Sequence, residues 1–177
     1  MRGPALLVVL VASGTLLVAA CASPTPTEVL DAYGNRIPGD EALDVLVASA
    51  QEILQEEDWG LPPEKKCVGL NPNWGWDTSG REMIPAALLE RLAKDLTSWT
   101  SAPVYVVDEE GARKTCLDRF MTQLVTFDRL RLWKGSLYVR VRERCETHCW
   151  GGSDWEYEFV KQDGRWKLHN STGLGMA

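Results

Sequence analysis

The sequence predicts an α+β fold in which two N-terminal helices pack on one face of a curved antiparallel sheet of about four to five strands. Three observations predict it. Apolar residues between Leu43 and Trp99 recur at spacings of three and four, the helical period. Apolar residues between Leu137 and Leu168 recur at every second position, the strand period. The two patterns are segregated along the chain rather than alternating, which argues for helices as one layer and the sheet as the other.

A leader precedes the domain. Arg2 is the only charge before Cys21, and Ala5 to Ala20 is almost wholly apolar or small, slightly short for a membrane span. The leader ends Val18-Ala19-Ala20-Cys21, which resembles the bacterial lipobox. That resemblance implies cleavage before Cys21, diacylation of its thiol, and export to the cell envelope. Residues 1–20 are then a lipoprotein signal peptide, residues 21–38 the lipidated cysteine with a Pro/Thr-rich tether, and residues 39–177 a single α+β domain. Pro24 and Pro26, alternating with threonine, make the tether extended rather than helical. Acyl chains and tether together attach the domain to a membrane with no spanning helix. Ala22 stands where an aspartate is associated with inner-membrane retention, so a Gram-negative cell would carry the chain on its outer membrane.

From Asp40, the residues Leu43, Leu46, Val47, Ala50, Ile53 and Leu54 form one apolar helical face, and Asp40, Glu41 and Asp44 suit its positive N-terminal end. Gly60-Leu-Pro-Pro stops this helix. A long loop follows, Leu61 to Arg81. The second helix starts near Pro85 and carries Ile84, Leu88, Leu89, Leu92, Leu96 and Trp99 on one side. Val104–Val107 reads as a short strand ended by the turn Asp108–Gly111, and Gln123–Trp133 as another, leading into a turn at Lys134-Gly135. In Leu137–Arg144, Leu137, Val139 and Val141 oppose Arg140 and Arg142. In Trp155–Val160, Trp155, Tyr157 and Phe159 oppose Glu156 and Glu158. Asp163-Gly164 is a hairpin turn, and Arg165–His169, with Trp166 and Leu168 inward, is the last strand.

Cys21 apart, four cysteines remain, an even number suited to an oxidising compartment. Four allow three pairings. The favoured one joins Cys145 to Cys149 across a hairpin tip and Cys67 to Cys116 between the helical half and the sheet. Cys145, His148 and Cys149 have zinc-like spacing, but in an exported chain a disulfide takes precedence, so no metal or other cofactor is expected.

The chain ends in a hairpin, Tyr157-Glu-Phe-Val-Lys-Gln-Asp-Gly-Arg-Trp-Lys-Leu168, that resembles the closing hairpin of nuclear-transport-factor-like and cystatin-like α+β domains. Cys145-Glu-Thr-His-Cys-Trp-Gly-Gly152 is similar to a Cys-x3-Cys-x-Gly hairpin of uncharacterised bacterial secreted proteins and lipoproteins. The likeness covers about the C-terminal third and implies a cone-shaped domain. Such a domain hosts both enzymes and binding modules.

Loss of Arg2 from 19 basic residues, against 25 acidic ones, leaves the mature chain at −7. With no basic stripe, this argues against nucleic acid as a partner. The candidate binding residues are Trp74, Trp76 and Asp77 in the loop Asn71–Gly80, with Trp150 beside the Cys145–Cys149 tip. Indole faces stack on sugars and amides orient them, so the expected partners, beyond the membrane, are a carbohydrate, a small molecule or an envelope protein. No catalytic residue is assigned, since His148 and His169 have no partners at triad-like spacing. The leading expectation is a non-catalytic binding or accessory module. Its rivals are a small enzyme with an Asp/His acid–base in a conical pocket, and a purely structural lipoprotein.

Overall fold

The structure, a computed structural model, describes residues 28–56, 60–75, 83–145 and 151–176. Glu28–Leu30 (β1) and Arg36–Pro38 (β2) form a small antiparallel ribbon. It leads directly into Gly39–Glu56 (α1), which buries Leu43, Leu46, Ala50, Ile53 and Leu54 as the spacing predicts. A 3-10 turn at Pro63–Lys65 precedes Lys66–Leu70 (β3). Ala86–Thr100 (α2) buries Leu88, Leu89, Leu92 and Leu96, and ends on Ser101 in the left-handed region (φ 57°). Then come Val104–Val106 (β4), Glu109–Thr115 (α3), Met121–Phe127 (β5), Arg131–Trp133 (β6), Ser136–Cys145 (β7), Gly152–Gln162 (β8) and Arg165–Met176 (β9).

The architecture corrects the predicted fold. The chain is mixed α+β, but its main sheet has seven strands, not four to five. Its order is β4-β3-β5-β7-β8-β9, with β6 paired to β7. It is not wholly antiparallel, since β3 pairs in parallel with both β4 and β5. Nor are there only two helices.

The physical reason lies in the crossovers. From β3 the chain returns through α2 to β4 on one side, then through α3 to β5 on the other side of β3. Right-handed crossovers in opposite directions put their helices on opposite faces. Accordingly α2 joins α1 over Val68, Leu70, Val125 and Phe127, whereas α3 covers the reverse. A side chain at Gly69 would meet Leu124 at 3.0 Å, Val107 at 3.2 Å and Ala112 of α3 at 3.4 Å. Gly69 is what allows α3 this close.

The remaining strands follow the alternation. Leu137 pairs with Phe159, Val139 with Tyr157 and Val141 with Trp155 on the face under α1, while Tyr138, Arg140 and Arg142 oppose Glu158, Glu156 and Asp154 on the other. The final strand runs to Met176, past the predicted end at His169. Its pairing with β8 carries two register shifts, at Asp154/Trp155 and Glu158/Phe159. Leu168 pairs with Phe159 on the inner face, yet lies near the uncovered edge and is 38% exposed.

Cys67 and Cys116 form a disulfide, Cα–Cα 5.9 Å, binding the end of α3 to β3. Cys145 is also disulfide-bonded. Cys149 lies outside the described residues, as do Cys21 and residues 22–27 of the predicted tether, whereas β1 and β2 fall within its remainder, residues 28–38. No described helix is long and apolar enough to cross a membrane.

Candidate functional site

The loop expected to bind with its tryptophans begins as part of the core. Asn71 donates its N–H to the Val125 carbonyl at 2.9 Å, and its Oδ1 accepts from the Asn73 N–H (3.1 Å) and Nδ2 (3.2 Å). Gly75, at φ +68°, donates to the Phe127 carbonyl at 2.7 Å. These bonds hold the segment across the end of β5, and Trp74 between them is a core residue, 8% exposed. A bridge between Asn73 and Met83, with Ile84 N–H donating to Pro72 C=O at 2.8 Å, closes the base of the excursion. Trp76, Asp77 and Trp150 lie outside the described residues.

What this closure builds is a recess. Pro72, Met83, Ile84 and Pro85 line it from the loop, Ala86, Leu89 and Glu90 from the first turns of α2, and Val106 from β4. Its volume is about 450 Å³, and among the described residues Glu90 is the one ionisable side chain in its lining. Beside it runs the outer edge of β4. Val68 N–H donates to Pro103 C=O and Val107 N–H to Leu70 C=O, so Tyr105 turns its peptide groups towards β3. Val104 and Val106 therefore direct theirs outward, where no described strand pairs with them. Tyr105 and Val106 are 38% and 42% exposed.

Compared with families of proteins, with curated proteins and with solved structures, the chain matches none.

The other polar concentration lies on the sheet face away from α1. Asp154, buried, accepts two hydrogen bonds from Arg140, one of them at 2.8 Å, and a longer one from Arg142 at 3.3 Å. Burial pushes the Asp154 carboxyl up, but the Arg140 and Arg142 guanidiniums outweigh it and hold the group below its ordinary value. Arg131 pairs with Glu156 at 3.0 Å, and the Tyr138 hydroxyl donates to Glu158 at 2.8 Å. The hydrogen bond to Glu158, first among its causes, raises the Tyr138 hydroxyl, and the same bond lowers the Glu158 carboxyl. The Arg140–Asp154, Arg142–Asp154 and Tyr138–Glu158 contacts join β7 to β8, as cross-strand contacts that hold strands in register do.

Sequence reasoning missed the recess because its walls come from both ends of a loop and from a strand fully separated in sequence. The available signal was Met83-Ile-Pro-Ala86, an apolar run ahead of a helix whose buried face starts only at Leu88. His169 stands in β9, and His148 lies outside the described residues. Among the described residues no three His, Cys, Asp or Glu side chains converge as metal ligands do.

Proposed function

We propose that the chain is an exported, Cys21-anchored envelope lipoprotein whose domain is a non-catalytic binding module, and that its ligand is an extended segment of a partner protein laid along β4. The observation that carries this reading is that Val106 belongs both to the open edge of β4 and to the wall of the apolar recess. An added strand would pair with the outward peptide groups of Val104 and Val106. Its alternate side chains, on the α2 face, would enter the recess. Glu90 at the rim favours a basic residue in that segment.

The two sheet edges differ in a way that supports the choice. The β9 edge carries Arg165, Lys167 and His169 and is distorted by two register shifts, the usual protections against strand addition. Val104-Tyr105-Val106 carries no charge at all.

Selection of random peptides on the full chain in detergent tests the reading. Enriched peptides should alternate apolar and polar residues and carry a cation. Val106→Pro deletes one outward N–H while leaving the Val107 bond to β3 in place, and should weaken the selected peptides about five- to tenfold. Ala86→Trp, at an exposed position in the recess wall, should block them. Absence of an alternating consensus, or full binding by the Val106→Pro variant, removes strand addition. Full binding by Ala86→Trp removes the recess.

A further inference from the structure

We propose that Leu30, Tyr33 and Trp133 form a membrane-contact patch, through which the domain rests on the bilayer that holds its own anchor. The proposal rests on the reading of Cys21 as the lipidated residue.

The three side chains come from two turns far apart in sequence. Leu30 and Tyr33 belong to the β1–β2 ribbon, Trp133 to the β6–β7 turn. They are 53%, 62% and 51% exposed, and the rings of Tyr33 and Trp133 lie 6.4 Å apart. Single exposed apolar residues need no explanation. Here, however, the Tyr33 and Trp133 rings adjoin on turns that hydrogen bonds join, and Leu30 stands exposed on the same ribbon as Tyr33. Ala32 N–H donates to Leu130 C=O at 2.8 Å, and Leu132 N–H to the Asp31 carboxylate at 2.9 Å.

The position of the anchor identifies the occupant. β1 opens at Glu28, seven residues after Cys21, and seven residues span at most about 25 Å. The β1–β2 ribbon is therefore held within that reach of the lipid, and Leu30 and Tyr33 follow it immediately. The chemistry fits the headgroup layer: tyrosine and tryptophan combine an apolar body with a polar atom, and both concentrate at membrane interfaces. The Lys134 ammonium lies 5.8 Å from the Trp133 ring centroid, able to reach lipid phosphate while its stem stays apolar. With a formal charge of −7 once the leader and its Arg2 are lost, the anchored chain as a whole is not drawn to anionic lipid, so its orientation calls for an apolar contact of this kind.

A second exposed pair provides an internal control. Leu117 (74%) and Phe120 (48%) precede the start of β5, whereas Trp133 lies beyond its end, so the two sites sit at opposite ends of the sheet.

The test uses the full lipidated chain reconstituted into phosphatidylethanolamine/phosphatidylglycerol vesicles that contain a photoactivatable lipid. Vesicles are floated and the adducts mapped by mass spectrometry. Adducts should concentrate on the peptides carrying Leu30–Tyr33 and Trp133–Lys134. The combined variant Leu30→Ser, Tyr33→Ser, Trp133→Ser should lose them about tenfold while still floating and with its melting temperature unchanged. The pair Tyr33→Phe, Trp133→Phe should keep most of them. A chain that floats with adducts on Leu117–Phe120 instead, or with none on the domain, overturns the patch and leaves the anchor standing. A chain that does not float removes the anchor and the patch with it. A wild-type chain that dimerises in detergent, and a combined variant that does not, assigns the patch to a second copy instead.

Discussion

Leu132 donates its backbone N–H to Asp31 at 2.9 Å across 101 residues of sequence, and with the Ala32 N–H bond to the Leu130 carbonyl it fastens the N-terminal ribbon to the seven-stranded sheet. The same carboxylate accepts from the N–H groups of Tyr33 (2.8 Å) and Asn35 (2.7 Å) and from the Asn35 side chain (2.9 Å). Asp31 is 1% exposed. Burial alone would raise its carboxyl, but the donors from Leu132, Asn35 and Tyr33 outweigh burial and lower it. Asp31→Ala strands several buried donors at once and should cost about 3 kcal/mol in urea unfolding. Asp31→Asn, which restores one acceptor but sets an amide N–H₂ against a donor, should fall between that variant and wild type.

The disulfide between Cys67 and Cys116 closes a loop with a sequence separation of 49. Chain-entropy arguments give such a closure about 4 kcal/mol. Cys67→Ala with Cys116→Ala should lose up to that amount in equilibrium unfolding. Since α3 is short and this bond ties its end to β3, amide exchange in Glu109–Thr115 should rise more than in α1.

Trp74 is buried in the same core cluster as Ile84, Leu88 and Phe127. Trp74→Ala should therefore act first on stability, by about 3–5 kcal/mol, as truncation of a buried indole does. A thermal melt that barely moves would mean that the indole faces a ligand and not the core.

The parts of this fold that were legible in the sequence are those with a one-sided environment. α1, α2, β7 and β8 each have a buried and an exposed face, so their periods of 3.6 and 2 are written in the residues. β3 was not legible, because Lys66-Cys-Val-Gly-Leu70 is covered on both sides, and a strand buried on both faces shows no alternation. α3 was hidden for another reason. Asp108-Glu-Glu-Gly111 has turn composition, yet Asp108 is the N-cap, accepting from Gly111 N–H at 2.8 Å. Glu109 and Glu110 pair with Arg113 and Lys114 one turn on. That i,i+4 charge pattern was the available signal. With β3 and α3 unseen, the parallel pairing could not be inferred, and the recess beside β4 could not be placed.

The last expectation concerns acid. Asp154 is the meeting point of Arg140 and Arg142 on β7, and all three interact across the β7–β8 pair. Its folded-state pKa lies below the ordinary value of 3.8. A lowered carboxyl contributes stability that is fully present above the unfolded pKa and is lost as pH falls through the folded one. Asp154→Asn removes the carboxylate that Arg140 and Arg142 share and should cost about 3 kcal/mol near neutral pH. As pH falls below the unfolded value and on through the lowered folded one, the wild type progressively loses the same contribution, so the gap between the two proteins should narrow steadily towards closure. Parallel unfolding series at successive pH values would measure it. A gap that stays constant down to the lowest pH would mean that Asp154 acts by packing alone, and that its ion pairs with Arg140 and Arg142 contribute nothing to the register of β7 and β8.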